Sequence, residues 1–461
     1  MSIIAKMFFP TLEPKERRML ACALGVIIVV ALVVSLALHG MVRTNFDNPA
    51  HDGYLQLARS LVAGHGYRFS SDGTPVLFRP PAYVLLLLPV VLFPESWQPA
   101  LVIVLNSGLF WGAGCLMYGL ARGVYSSPVA KIAVLLLWLN GSILWCLKNP
   151  MSWILQIFCM AALAYSFWRA SRANFSAKSA LGLGAVAGLS ILSHGAYLIV
   201  IVVAAAGVAA WIGWAKAWRN LVSFALACAM AALVVLPWTW RNYLVSGRFI
   251  PVVEGAGHAY FLGNAIAGLP PLNPSITPTP HPFFYSDDVV ALEMAGLDKN
   301  LIKTSNYGGF PESDTEQRLD QAMMQDMRRA PLHLLPKFIY NGLQMFFPGI
   351  HYLWKSPVYQ AATPRTATFW YDWAITLGNG AFWIFAVLGW RNLASSIQQT
   401  AARLLLFGIA AYMIPYLLLS SASVHAAYAF PTYVLLMPLS ALGLQQVFFR
   451  RRQTPTASPA P

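Results

Sequence analysis

The sequence predicts an all-α protein that crosses a membrane many times. Of its 461 residues, 57% are hydrophobic and 10% are charged, and the mean hydropathy is +0.57. Soluble domains, in contrast, carry about 25% charged residues. Long apolar runs recur, each near the roughly 20 residues that a helix needs to cross hydrocarbon. Because backbone polar groups must pair internally in lipid, and the short alternating segments of a barrel do not occur, these runs predict helices.

Eleven apolar runs cover residues 19–39, 82–93, 100–121, 132–147, 152–168, 179–193, 196–215, 221–239, 370–389, 401–420 and 427–447. Basic residues at 15–18 and 450–452 flank the first and last runs, so both ends of the chain are predicted to be cytoplasmic. No small-residue cleavage site follows the first run, which is expected to be a retained anchor. Two cytoplasmic ends require an even number of crossings. The run at 82–93 is too short to span, which leaves about ten crossings.

Four regions follow from this layout. Residues 1–81 hold the anchor helix and an opening loop (residues 45–81), residues 82–239 a dense helical bundle, residues 240–368 a long polar loop, and residues 369–461 the last spans and a Pro-rich tail expected to be disordered. By sidedness, both loops lie on the same non-cytoplasmic face. Within the long loop, 312–329 is expected to be helical. Lys337, Asn341 and Gln344 interrupt the apolar stretch 334–347, which predicts an amphipathic helix on the membrane surface.

Carboxylates are scarce in this sequence, which narrows the places where acid–base chemistry can occur. No Asp or Glu lies between Glu95 and Glu254, and none follows Asp372. A catalytic carboxylate is therefore expected in the opening loop, in the long loop, or at Glu95 or Asp372 themselves.

The net charge of +14 does not indicate a nucleic-acid partner. The basic excess lies mostly in short loops and tails, where membrane topology already explains it. The sequence shows no phosphate-binding glycine loop, zinc-ligand spacing or nucleophile elbow. These observations leave lipid-embedded chemistry at the outer face as the main expectation.

Several residues near the loop boundaries could carry chemistry, and each also has a structural interpretation. Asp52 begins a helix-like stretch and is equally well explained as a helix cap. Arg79 places a cation where the chain re-enters the membrane, which suits a general headgroup anchor or a specific phosphate-bearing lipid. Arg241 stands among interfacial aromatic residues, where a basic residue is ordinary. His194, between two apolar runs, is better explained as a hydrogen-bonded structural histidine.

The order of these segments resembles a known family. Asp52 before Tyr54, then Leu-Ala-Arg-Ser-Leu-Val-Ala-Gly-His-Gly-Tyr at 57–67 and Arg-Pro-Pro-Ala-Tyr at 79–83, look like the membrane glycosyltransferases of the GT-C superfamily. The segment Pro-Trp-Thr-Trp-Arg-Asn-Tyr at 237–243, with His258 downstream, is similar to the block before that family's large external loop. The branch it resembles contains the dolichyl-phosphate-mannose protein mannosyltransferases and the bacterial aminoarabinose transferase.

This resemblance implies a bundle of about 10–12 transmembrane helices with two external loops forming the active-site face. It further implies a bacterial inner membrane, with that face outward, and an inverting transfer from a polyprenyl-phosphate sugar to a hydroxyl of a protein, glycolipid or cell-wall acceptor. By resemblance, Asp52 is the general base, with Asp47 as the alternative. Donor-phosphate contacts are expected at Arg79, Arg241 and His258, and cavity-lining residues at Tyr54, Tyr83 and His194. His51, Asp52 and His258 could hold a divalent metal ion, although their spacing does not demand one.

The chain departs from the family pattern in three places. Ser152 stands in the segment after Pro150 where a Glu is often found, His194-Gly195 replaces an Arg-Pro pair, and Tyr428 lacks the flanking arginine of many members. These departures predict either a different donor headgroup or a reduced activity.

Three rival functions remain open. A transporter or flippase is disfavoured, because coupled transporters place ionisable residues inside their spans and residues 96–253 contain no acid. An oligosaccharide polymerase or ligase, with a lipid-linked oligosaccharide donor, is a nearer rival. An inactive scaffold of the same fold would bind a polyprenyl phosphate without turnover.

Overall fold

The chain folds mainly into apolar helices, as a computed structural model shows. The structure describes residues 13–37, 53–69, 71, 73–214, 220–275, 281–282, 288–298, 301, 313–329, 331–353, 359–360, 366–391, 393, 395–419 and 428–449. Within these ranges, 5 helices are long and apolar enough to cross a membrane: Gln98–Val124, Trp153–Arg172, Leu221–Ser246, Asp372–Arg391 and Ser396–Leu418. Shorter apolar helices accompany them. The predicted all-α polytopic membrane fold is confirmed.

In chain order, the first helices are α1 (Pro14–Ala37), α2 (Tyr54–Val62), α3 (Pro81–Val91), α4 (Gln98–Val124), α5 (Ser127–Trp138), α6 (Gly141–Cys146), α7 (Trp153–Arg172), α8 (Ala177–Ser193), α9 (Ala196–Trp214) and α10 (Leu221–Ser246). The later helices are α11 (Ala256–Ile266), α12 (Asp288–Ala295), α13 (Ser313–Arg329), α14 (Leu335–Phe346), α15 (Thr366–Arg391), α16 (Ser396–Leu418) and α17 (Phe430–Phe449). Two-residue strands β1 (His281–Pro282) and β2 (Tyr359–Gln360) pair in parallel. The predicted run 132–147 is divided between α5 and α6, because the Asn140 side chain accepts a hydrogen bond from the Ile143 N–H and starts a new helix.

Helix α3 begins and ends on the same side of the bundle. At the start of α4, Gln98 accepts a hydrogen bond from Arg59 of the opening loop at 2.7 Å. At the end of α4, Arg122 pairs with Glu16 of α1 at 3.3 Å. Helices α1 and α4 therefore run in opposite directions. The 11-residue α3 starts at the end of the opening loop and ends shortly before Gln98. That the run at 82–93 does not cross the membrane stays a prediction.

Small residues bring two pairs of helices into backbone contact. A Cβ at Gly184 or Gly188 of α8 would collide with carbonyl oxygens of Ala227 and Ala231 in α10. At the interface of α15 and α17, a Cβ at Gly389 would likewise collide with the carbonyl oxygen of Leu439. Close backbone approach is how helices gain packing contacts in lipid, where water does not drive association. These glycines therefore set the spacing of the outer helices around the core.

Helices α11 to α14 form an external layer with its own apolar core, built around Tyr260, Phe261 and Leu292. The helices expected at 312–329 and 334–347 are present as α13 and α14. The layer packs on the end of α16, where Gly263 approaches the carbonyl oxygen of Leu419 too closely for any side chain. The long loop is therefore an ordered layer above the bundle in its described parts.

Helix α14 turns its polar side chains towards the protein and its apolar side chains outward. Lys337 is fully buried, and its ammonium donates to the Tyr260 carbonyl and the Asn264 side chain, both at 2.8 Å. Asn341 donates to the carbonyl oxygens of Tyr416 and Leu417 at the end of α16. The outward stripe consists of Leu335, Ile339 and Leu343, and it is extended by Leu332 in the turn before the helix. This apolar stripe suits lipid contact, although the polar residues that suggested an amphipathic helix face the protein. Its place on the membrane surface stays a prediction.

Arg241, near the end of α10, holds the opening loop by its main chain. Its guanidinium donates to the carbonyl oxygens of Val76 at 2.8 Å and Tyr67 at 3.4 Å. It also lies 5.3 Å from the ring centre of Tyr67 and 4.9 Å from that of Trp238. Farther along, the Glu254 N–H donates to the Leu77 carbonyl at 3.1 Å. The opening loop is thus attached to both sides of the α10–α11 connection.

Replacing this arginine tests the attachment. Arg241→Ala removes the donors to the Val76 and Tyr67 carbonyls, which should cost about 1–3 kcal/mol and loosen the loop. Thermal unfolding and protease cleavage between residues 67 and 79, in detergent, measure the two effects. Arg241→Lys is the matched control, because it keeps the charge but cannot donate to both carbonyls. It should behave like Arg241→Ala, and a wild-type result would show that only charge matters here.

Candidate functional site

The predicted site residues divide into those that the structure describes and those that it does not. Asp47, His51 and Asp52 lie outside the described residues, so the predicted general base and two of the three predicted metal ligands remain predictions. The next residue, Gly53, has φ 63° and is the N-terminal cap of α2. A Cβ at Gly53 would meet the ring of Phe69, so both space and backbone demand glycine. Asp52 therefore precedes the cap position rather than occupying it.

The main chain at Arg79, just before α3, is held by hydrogen bonds. The Tyr67 hydroxyl donates to the carbonyl oxygens of Arg79 at 3.1 Å and Pro80 at 3.2 Å. The Arg79 guanidinium carbon lies 5.4 Å from the ring centre of Tyr54 and 5.2 Å from that of Phe78. Aromatic faces attract a cation at this distance. Arg79 is therefore a positioned cation with an aromatic surround, as an anion-binding residue requires.

The ring of Tyr54 lies under Arg79 and packs on the ring of Tyr83. Their rings pack edge to face, with centres 5.5 Å apart and planes at 86°. The Tyr54 hydroxyl donates to Ser152 Oγ at 3.2 Å, and the Tyr83 hydroxyl donates to Asn106 Oδ1 at 3.0 Å. The structure thus brings together two of the predicted cavity residues with the predicted phosphate contact.

His194 approaches the same place from the connection between α8 and α9. Its ring stacks on Tyr416, with centres 6.3 Å apart, and lies 6.1 Å from Tyr428. Burial, followed by the positive charge of Arg79, lowers the pKa of His194 to about 4. Because Nδ1 accepts the Ala196 N–H at 3.2 Å, the neutral ring carries its proton on Nε2. His194 therefore offers a neutral hydrogen-bond donor close to Arg79, in addition to its structural role.

A buried polar network behind Tyr54 was not predicted from the sequence. Ser152 accepts from the Gln156 side-chain amide at 3.1 Å, and Gln156 Oε1 accepts from the Tyr412 hydroxyl at 3.2 Å. Tyr412 and Tyr416 then share a hydrogen bond at 3.1 Å. A glutamine inside the apolar run 152–168 was the available signal. We call Arg79, Tyr54, Tyr83, His194 and this network the Arg79 cluster.

All three positions at which the sequence departs from the family pattern meet in the Arg79 cluster. Ser152 accepts a hydrogen bond from Tyr54, and the charge of Arg79 lowers the pKa of His194. Tyr428 packs on Tyr416 and His194. These three residues therefore lie in or against one cluster rather than in separate parts of the fold.

Arg241 and His258 have described contacts elsewhere. The guanidinium of Arg241 holds the opening loop, as shown above. His258 lies at the start of α11 in the external layer, where its N–H donates to Glu316 Oε1 at 3.1 Å. Among the described residues, no group of three His, Cys, Asp or Glu side chains could hold a metal ion. The phosphate-binding and metal roles of these residues stay predictions.

One face of α13 also carries a shallow surface depression, which is separate from the predicted site residues. Its lining residues are Gln317, Asp320, Gln321, Met324, Gln325, Arg328 and Arg329. Because a single helix supplies this lining, the depression offers no enclosure for a lipid, and we assign it no function.

Two carboxylates of α13 cap the start of α11. Glu316 accepts the N–H of His258, and Asp320 accepts the N–H of Gly257 at 2.8 Å. Negative charge is favourable at a helix N-terminus, and a Cβ at Gly257 would press on the α13 backbone. Burial raises the pKa of Glu316 to about 7, while the neighbouring His258 lowers it.

This raised pKa predicts a pH-dependent stability of the external layer. The folded state binds a proton at Glu316 more tightly than the unfolded chain, so the contribution is favourable below the ordinary value of 4.5 and is lost as pH rises through about 7. Glu316→Gln keeps the acceptor and removes the titration. Its unfolding temperature relative to wild type should therefore rise between pH 5 and pH 8. A difference that is independent of pH, measured by differential scanning fluorimetry in detergent, would contradict this assignment.

Comparison with known proteins gives only a distant likeness. No protein-family model matches the chain, and no curated protein matches it. A solved structure of ArnT from Cupriavidus metallidurans bound to undecaprenyl phosphate is 16% identical, with 92% of this chain and 77% of that chain covered and a TM-score of 0.37. The apo state of the same protein gives 16% identity, 90% and 77% coverage and a TM-score of 0.36. Likeness this distant carries no argument about function, which therefore has to be inferred from the Arg79 cluster.

Proposed function

We propose that the chain is a membrane glycosyltransferase that moves a sugar from a polyprenyl phosphate to an acceptor hydroxyl. The observation that carries this proposal is the convergence of Arg79, Tyr54 and His194, with Asp52 two residues before Tyr54 in the sequence. A polyprenyl phosphate presents one anionic group on an apolar chain. A fixed guanidinium among aromatic rings, with a neutral N–H donor close by, is suited to such a ligand.

Asp52 is two residues before Tyr54, whose ring lies against Arg79. A chain spans at most about 3.6 Å per residue, so the backbone of Asp52 is within about 7 Å of that of Tyr54. This separation is compatible with a carboxylate next to a phosphate bound at Arg79. With Gly53 as the helix cap, the capping role that competed for Asp52 has lost its main support.

The proposed reaction is a direct displacement at the anomeric carbon. The acceptor oxygen forms a bond to that carbon while the bond between the carbon and the phosphate oxygen breaks. The electron pair of the broken bond stays on the phosphate. Asp52, as general base, takes the proton of the acceptor hydroxyl. Inversion at the anomeric carbon follows from a single displacement.

Charge develops on the leaving phosphate in this displacement, and preformed donors stabilise it. Arg79 supplies a permanent positive charge, and His194 supplies a hydrogen bond without a second charge. Because Tyr67 and Tyr54 hold Arg79 before any ligand arrives, little reorganisation is required. We assign Arg241 to positioning, since it holds the opening loop that carries Arg79.

The base assignment is tested by replacing its carboxylate. Asp52→Asn should abolish sugar transfer, measured as release of undecaprenyl phosphate from a panel of radiolabelled undecaprenyl-phosphate sugars in nanodiscs. Asp47→Asn is the matched control in the same loop and should keep most of the turnover. Near-normal turnover in Asp52→Asn would sink the assignment, and loss in Asp47→Asn alone would move the base to Asp47.

The phosphate assignment is tested by binding. Arg79→Ala should weaken the binding of undecaprenyl phosphate about 10- to 100-fold, which is the effect of losing one charged hydrogen-bond partner. Arg79→Lys should lose less, because it keeps the charge. Arg172→Ala, at an exposed position at the end of α7, is the control and should bind like wild type. Equal affinity in all variants would remove Arg79 from the phosphate site.

A further inference from the structure

The connection between α6 and α7 contains a buried lysine. Lys148 is 3% exposed, and in the part of the chain that the structure describes its ammonium has no hydrogen-bond partner. The nitrogen lies 3.7 Å from the ring centre of Trp145. A cation over an aromatic face recovers only part of what it loses on leaving water. Buried charges in proteins are normally paired, so an unpaired one marks a place where a ligand could supply the missing partner.

The main chain on both sides of Lys148 is held by one side chain. Asn106 Nδ2 donates to the carbonyl oxygens of Leu147 and Asn149, both at 2.9 Å. Asn106 is itself fully buried, and its Oδ1 accepts from the Tyr83 hydroxyl. Lys148 is therefore held in place by a rigid support.

The Asn106 side chain that holds Lys148 in place is connected to the Arg79 cluster. Tyr83, which donates to Asn106, packs on Tyr54, and Tyr54 lies under Arg79. A second connection runs through Ser152, four residues after Lys148, which accepts the Tyr54 hydroxyl. Two short chains of contacts thus join the buried lysine to the proposed phosphate contact.

The chain supplies no described counter-charge to Lys148. Residues 96–253 contain no acid, and no ion pair to Lys148 occurs among the described residues. Burial lowers the pKa of the Lys148 ammonium more than the nearby Cys146 raises it. An anion from outside the chain would reverse that effect and complete the hydrogen bonding of the ammonium.

We propose that Lys148 is the base of a second anion subsite, which binds a carboxylate or phosphate group carried by the transferred sugar or by the acceptor. The inference rests on the proposed function, because it assigns the lipid phosphate to Arg79 and leaves Lys148 for a different group. The enzyme would therefore prefer an acidic sugar or an acidic acceptor over a neutral one.

Two matched donors test the sugar as the source of the anion. Undecaprenyl-phosphate glucose and undecaprenyl-phosphate glucuronic acid differ at a single carbon, in a hydroxymethyl or a carboxylate group. Wild-type protein in nanodiscs should bind the acidic donor about 10- to 100-fold more tightly. Lys148→Met should remove this preference and leave the affinity for undecaprenyl phosphate unchanged, whereas Arg79→Ala weakens all three ligands. Lys131→Met, at an exposed lysine of α5, is the control.

Inorganic phosphate and free glucuronate test the acceptor as the source. With undecaprenyl phosphate bound, either anion should protect the Lys148 amine of the unaltered protein from reductive methylation, measured by mass spectrometry. This readout needs no variant and so does not depend on whether Lys148→Met folds. Protection by the acidic donor alone assigns the subsite to the sugar, and protection by a free anion assigns it to the acceptor. No protection by any anion, together with no donor preference, overturns the subsite while leaving the Arg79 assignment intact.

Discussion

The structure of the proposed site depends on Tyr67. Its hydroxyl donates to the main chain at Arg79 and Pro80, its own carbonyl accepts from Arg241, and its ring lies against Arg241 and Trp238. One side chain therefore joins the middle of the opening loop, the start of α3 and the end of α10. Without this junction, the guanidinium of Arg79 would have no fixed position relative to Tyr54.

A second constraint is the scarcity of charge in an apolar chain. A charged group inside the bundle has to be paired with an opposite charge, solvated by water, or retained for binding or catalysis. Glu16 is paired with Arg122, and Lys337 is fully hydrogen-bonded to Tyr260 and Asn264. Arg79 and Lys148 lie over aromatic rings, as Lys337 also does over Tyr260. Lys148 differs from these groups because its ammonium has no hydrogen-bond partner among the described residues, and an anionic group of a substrate could supply one.

Much of the fold could be predicted from the sequence, because the helical spans follow from local hydropathy and the helix boundaries from caps and prolines. The shortness of α3 follows from the length of its apolar run, and α13 follows from its N-cap residues. The Arg79 cluster could be predicted only by resemblance. The hydrogen bond between Gln156 and Tyr412 joins residues 256 positions apart, and no local pattern reports such a contact. Arginine is a residue type that often binds phosphate. That Arg241 instead holds the main chain of the opening loop depends on tertiary structure. The outward apolar face of α14 and the unpaired Lys148 were missed for the same reason.

The central claim is that the lipid phosphate binds at Arg79. A structure of the full chain in nanodiscs with undecaprenyl phosphate, determined by electron cryomicroscopy, tests it most directly. The account predicts phosphate density within hydrogen-bond reach of the Arg79 guanidinium, beside Tyr54 and His194, with the polyprenyl chain leading outward into lipid. Phosphate density at Arg241 or His258, with the Arg79 side chain unchanged, would contradict it.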